Sequence, residues 1–144
     1  KQLENDLKCT VIIIPRYPGE KTGHADGLVR FIDERNVFIN DTAGAPKKWL
    51  IDFRTILDRN ELTPVELPCP MKPGQKSADG LYINYLHVGS LVVAPQFGLD
   101  EDKDALQIIN VVFKKNSRVV PYNSNKIAEF GGVLNCATWS VFTL

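Results

Sequence analysis

The chain has 144 residues, 44% of them hydrophobic and 24% charged, a makeup that excludes a disordered or fibrous chain and suits one ordinary globular domain. Its 17 basic residues equal its 17 acidic ones, so charge argues against nucleic acid or an anionic membrane as a partner, and no apolar run could span a bilayer. Cys9, Cys69 and Cys136 lie too far apart for a zinc site, and their odd number fits a reducing, cytoplasmic setting better than a disulfide framework.

The chain opens on Lys1 rather than Met, with no basic segment leading into an apolar stretch, so its start reads as a cut. Residues 1–15 predict the end of one unit: a helix, then the strand Val11-Ile12-Ile13-Ile14 closed by Pro15. The pattern then recurs. Val65-Glu66-Leu67 ends at Pro68 and Arg118-Val119-Val120 at Pro121, so the prolines stand 53 residues apart each time.

Gly27 and Gly80 open the β-like runs 27–32 and 80–85, each expected to start a hairpin whose second strand is Val37-Phe38-Ile39 or Leu91-Val92-Val93. A helix should follow in both copies. Trp49, Leu50, Phe53, Ile56 and Leu57 have the spacing of one buried helical face, as do Ala105, Leu106, Ile109, Val112 and Phe113. Asp100-Glu101-Asp102 before the second helix and Lys114-Lys115 at its end suit the helix dipole.

The predicted unit is strand, strand, helix, strand, with full copies at about 16–68 and 69–121 and partial ones at 1–15 and 122–144. Such a unit cannot cover both faces of its sheet alone, so the expected fold class is α/β, a segment of a closed α/β propeller. An ordinary α+β domain with a mixed sheet is the alternative.

His24 and Asp26 lie in the polar loop Lys21-Thr22-Gly23-His24-Ala25-Asp26-Gly27, where residues two apart can face one side. Imidazole moves protons near neutral pH and a carboxylate accepts N–H bonds from a cation, although a His-x-Asp triplet alone is more often a plain surface loop. Cys136 follows Gly131-Gly132-Val133-Leu134-Asn135, and a cysteine in an apolar stretch is most often inert. Its place in the repeat raises it above that. Both His24 and Cys136 fall at the junction that follows a strand-ending proline, and equivalent junctions of a propeller face one centre.

His87, in Leu86-His87-Val88-Gly89, reads as a solvated turn residue, and Cys9 and Cys69 read as structural. Asn84 lies inside an apolar run and must be hydrogen-bonded if buried, to the backbone or to something in a pocket, the backbone being the commoner case.

Three segments in register carry a resemblance. Gly23-His24-Ala25-Asp26 with Val29-Arg30-Phe31, then Tyr82-Ile83-Asn84-Tyr85 with Val92-Val93-Ala94-Pro95-Gln96-Phe97-Gly98, then Gly131-Gly132-Val133-Leu134-Asn135-Cys136-Ala137-Thr138, resemble the agmatine deiminase and bacterial (Porphyromonas-type) peptidylarginine deiminase family. The resemblance covers nearly the whole chain and implies the C-terminal part of a pseudo-fivefold α/β propeller. It implies that Cys136 attacks the guanidinium carbon as a thiolate, that His24 protonates departing ammonia and then activates water, and that Asp26 holds the guanidinium nitrogens. Gly132 would leave room for the flat cation and Asn135 would help orient it.

No cofactor and no metal are implied. The implied substrate is agmatine, converted to N-carbamoylputrescine for putrescine synthesis, with peptidyl or free arginine as the alternative and a non-catalytic binding or assembly module as the rival of another class. Further acidic residues of the family site come from an N-terminal half that this chain lacks, so weak activity and self-association through exposed blade edges are expected.

Overall fold

The computed structural model describes residues 2–20, 22–71, 74–139 and 141, so Lys21 of the polar loop and the last residues of the final partial unit lie outside the described residues. Helix α1 spans Gln2–Leu7; the first full set is β1 (Val29–Phe31), β2 (Asn36–Asn40), α2 (Lys47–Arg59) and β3 (Thr63–Leu67). The second set is β4 (Leu86–Val88), β5 (Leu91–Gln96), α3 (Asp102–Phe113) and β6 (Arg118–Asn123), and α4 (Asn125–Ala128) follows. The result is a mixed α/β structure with two three-stranded sheets, ordered β1-β2-β3 and β4-β5-β6.

Both sheets are built alike. A hairpin joins the first two strands antiparallel, and the helix then carries the chain back so that the third strand lies parallel to the second. Asn36 pairs with Thr63 where Leu91 pairs with Arg118, so the sheets correspond at an offset of 55 residues rather than the proline interval of 53. The prolines are not equivalent: Pro121 lies inside β6, paired with Ala94, whereas Pro68 lies just beyond β3.

Burial follows the helical and strand periods. Trp49, Phe53 and Leu57 are the buried face of α2, and Ala105, Ile109 and Phe113 that of α3. Central strand β2 is covered on both sides, with Val37, Phe38 and Ile39 all fully buried. Val37 and Ile39 pack with Trp49, Phe53 and Leu57, whereas Phe38 points the other way, edge-on to Tyr85 at 5.9 Å and tilted against Phe113 at 6.1 Å. The alternation of β2 thus joins the two units. Each such side chain removed from water stabilises by roughly 1.5–3 kcal/mol.

Two expected strands differ. Ile12 and Ile14 pack toward α2 while Ile13 is exposed, so the run 11–14 has strand alternation, but it is not paired in a ladder among the described residues. The run 80–85 turns at Gly80 (φ +86°), where a Cβ would overlap Pro70 at 2.6 Å, and Tyr82–Asn84 form a buried 3-10 turn. All three are buried. The hairpin strand therefore starts at Leu86, which places His87 inside β4, edge-on to Phe113 at 5.0 Å, rather than in the turn.

No helix among the described residues is long and apolar enough to cross a membrane.

Candidate active site

A cavity of about 560 Å³ opens where the loop before β1, the loop after β2, the Tyr82–Asn84 turn and the segment after α4 converge. His24, Asp26, Asn84 and Cys136 share its wall.

The His24 loop is shaped by its own glycines and by Glu20. Gly19 and Gly23 take positive φ (+87° and +78°), and the Glu20 carboxylate accepts from the Thr22 hydroxyl at 2.5 Å, the Thr22 amide at 2.9 Å and the Gly23 amide. The Thr22 hydroxyl, then the two amides, hold the Glu20 carboxyl down to about 2. His24 then precedes a 3-10 turn, Ala25–Gly27, whose tight winding sets His24 and Asp26 side by side: Nδ1 lies 3.9 Å from Asp26 Oδ1. Both stay open to solvent, with side chains 68% and 39% exposed, so a ligand can reach them.

Cys136 lies in a turn secured by the Ala137 amide donating to the Val133 carbonyl at 3.1 Å and the Thr138 amide to that of Asn135 at 3.3 Å. Its thiol donates to Asp26 Oδ2 at 3.3 Å, and Asn135 Nδ2 donates to the same oxygen at 3.2 Å. Asp26 therefore stands between His24 and Cys136. Lost hydration at the cavity wall, then the bond to Asp26, push the Cys136 thiol up, only partly offset by the Val133 and Asn84 contacts. Cys69, also on the cavity wall, is pushed up by burial.

Gly132, Asn135 and Asn84 take distinct places around Cys136 and Asp26. Gly132 does not line the cavity; a Cβ there would come within 2.7 Å of the Cys136 Cβ and 3.2 Å of its Sγ, so the glycine makes room for the cysteine itself. Gly131, at φ +83°, is the one on the wall. Asn135 is also off the wall and turns its amide to Asp26. Asn84, fully buried, bonds both to the backbone and to the site.

Sequence reasoning missed the far wall. Tyr17, Trp49 and Phe53 form an aromatic stack there, with Trp49 parallel to Phe53 at 4.8 Å and edge-on to Tyr17 at 4.9 Å. Helical spacing identified Trp49 and Phe53 as core but carries no sign that one edge of that core faces a cavity. Glu20 and Asp41 join Asp26 as carboxylates of the wall, and no Lys or Arg lines it among the described residues.

His87, in β4, is outside this wall, and Cys9 is exposed elsewhere. No group of three or more His, Cys, Asp or Glu side chains among the described residues could hold a metal ion.

The sequence matches the Porphyromonas-type peptidyl-arginine deiminase family over residues 1–141. The chain belongs to that family.

Solved structures similar to it include the Campylobacter jejuni agmatine deiminase (C. jejuni; 16% identity, TM-score 0.75), which covers 94% of this chain and 43% of its own. A C. jejuni cysteine-to-serine variant of that enzyme with substrate bound is similar at TM-score 0.74 and 16% identity, over 93% of this chain and 43% of its own. The agmatine deiminase of Enterococcus faecalis matches at 21% identity and TM-score 0.75, over 93% of this chain and 45% of its own. This member of the family thus spans less than half the length of the solved structures it matches. No curated protein matches the sequence.

Proposed function

We propose that the chain is the C-terminal part of a cysteine-dependent guanidino deiminase, its two sheets being successive blades of an α/β propeller. The observation that carries this reading is the placement of Asp26 between the His24 imidazole and the Cys136 thiol on one open cavity. Membership of a deiminase family supports the reaction class.

In this mechanism the guanidinium enters the cavity and Asp26 accepts its N–H groups, a charge-assisted contact that replaces the bond from the thiol. The arriving cation favours the thiolate, offsetting the environment that holds Cys136 protonated. Sulfur attacks the central carbon, and protonated His24 gives its proton to one nitrogen, which leaves as ammonia. Neutral His24 then takes a proton from water, whose oxygen adds to the amidino-thioether. The C–S bond breaks, leaving the thiolate and a ureido product whose O–H proton passes through solvent to the released ammonia; overall, a guanidinium and water become a urea and an ammonium ion.

Agmatine is the leading substrate. Its second cation suits a wall carrying Glu20, Asp26 and Asp41 without a Lys or Arg among the described residues to meet a carboxylate. Peptidyl-arginine is the second reading, supported by the family's description. The reaction needs no cofactor, and a free catalytic thiol suits a reducing, cytoplasmic setting. Exposed sheet edges and side chains such as Phe130 and Trp139, about nine-tenths exposed, suit association with further propeller blades or another copy.

The test is ureido-product formation from agmatine and from a peptidyl-arginine, beside Cys136→Ala. Product lost in the variant establishes the chemistry. Equal product in both, or a Cys136 that never acquires the substrate-derived mass in the presence of either compound, overturns it.

A further inference from the structure

Asn84 is fully buried, and both ends of its side-chain amide are hydrogen-bonded. Its Oδ1 accepts from the Val133 amide at 3.1 Å and the Cys136 amide at 3.2 Å; its Nδ2 donates to Asp26 Oδ2 at 3.3 Å. Its own carbonyl accepts from the Asn135 amide at 3.1 Å. A side-chain amide presents an acceptor with two lone pairs at one end and donors at the other, a combination that an aspartate or an apolar isostere of this size lacks.

The turn carrying Asn84 is itself braced. Arg30, from β1, donates Nη1 to the carbonyls of Ile83 (3.5 Å) and Tyr85, one on each side of Asn84, and its guanidinium lies 3.9 Å over the Tyr85 ring. Strand β1 directly follows the loop bearing His24 and Asp26. The loop 24–26 and the turn 133–136, distant in sequence, are thus joined by this buried amide as well as by the direct bonds of Asn135 and Cys136 to Asp26.

We propose that Asn84 is the positioning residue of this site, holding the Asp26 carboxylate and the Cys136 turn in a single arrangement so that carboxylate and sulfur face the same point. The proposal rests on the roles given to Cys136 and Asp26 above. Because both ends of the amide are occupied, rotating it by half a turn would set donor against donor at Cys136 and acceptor against acceptor at Asp26, so the network admits one orientation.

The experiment follows alkylation of each cysteine by iodoacetamide across pH, resolved by mass spectrometry, in the 144-residue chain. The charged or titratable groups facing Cys136 are Asp26 from the 3-10 turn, His24 beside it and Arg30 from β1, and none is altered by Asn84→Asp. That variant keeps the acceptor oxygen and sets a second carboxylate against Asp26. Its Cys136 profile is expected to move to higher pH, slowing alkylation at pH 8 by about tenfold relative to Cys9 of the same molecule. Asn84→Asp combined with Asp26→Asn restores a donor–acceptor pair with the partners exchanged and should return the profile toward that of the parent.

A carboxylate at position 84 moves the midpoint by its charge alone, so the neutral isostere Asn84→Leu decides: an amide that merely fills the core would lower the melting temperature without moving the Cys136 midpoint, and an unmoved midpoint in a folded Asn84→Leu chain overturns the proposal. If the single variants do not fold, the double variant decides: a folded chain with the parent profile supports positioning, and an equally unfolded one sinks it. Alkylation needs no turnover, so failure of the ureido assay would reject the proposed function while leaving this result standing.

Discussion

Asp26 Oδ2 accepts a hydrogen bond from the Cys136 thiol at 3.3 Å, although 110 residues separate the two in the chain. The contact holds sulfur in its protonated form, since the bond favours the thiol and the carboxylate charge opposes the thiolate. A cation entering between them would reverse both effects.

Replacing Asp26 with Asn should therefore make Cys136 more reactive, not less. Loss of the negative charge lowers the thiol from its raised position, though lost hydration, the larger cause, remains. Alkylation of Cys136 at pH 7.5 should rise by about threefold to tenfold while ureido formation is lost. A rate equal to or below that of the parent would contradict the role given to Asp26.

Gly132→Ala should disturb the cysteine without entering the cavity. The added methyl would lie 2.7 Å from the Cys136 Cβ, and both groups belong to a tight turn whose backbone is hydrogen-bonded. Overpacking of this kind costs about 1–3 kcal/mol and turns the sulfur away from Asp26. A crystal structure of the variant with Sγ still 3.3 Å from Asp26 would refute this.

Trp49→Ala should cost about 3–5 kcal/mol in chemical denaturation. Trp49 is 7% exposed, stacks on Phe53, packs edge-on to Tyr17, and donates Nε1 to the Pro15 carbonyl at 3.0 Å, tying the segment before the His24 loop to α2. Trp49→Phe retains part of the stack but loses that bond, so it should fall between the parent and Trp49→Ala. Equal stability of the alanine variant and the parent would mean that this wall is not packed as described.

Alkaline stability should depend on Tyr82. Its hydroxyl donates to Asp102 Oδ1 at 2.7 Å, and burial, then that bond, raise the phenol well above its ordinary value. The native chain keeps the proton after the unfolded chain has given it up, so this stabilisation is present below about pH 10 and is lost as pH rises further. Tyr82→Phe should cost about 1 kcal/mol at pH 8 and flatten the loss of stability above pH 10. Burial raises Tyr85 as well, so some slope should remain. An unchanged slope would show that Tyr82 does not carry this linkage.

The sequence by itself determined what short-range periodicity can encode. The buried faces of α2 and α3, the strands β2, β3, β5 and β6, and the recurring order of elements all follow from helical or alternating spacing, which each segment carries locally. Three motifs in register also pointed to the family and to Cys136, His24 and Asp26. Only the tertiary structure decided what those residues touch. Gly80 and full burial converted an apolar run into the turn that presents Asn84, shifting the hairpin to Leu86. Gly132 serves Cys136 and Asn135 serves Asp26, and the aromatic wall joins a helix face to a loop. These contacts lie between segments far apart in the chain, and a local pattern records that a residue is buried or polar without recording which distant partner satisfies it.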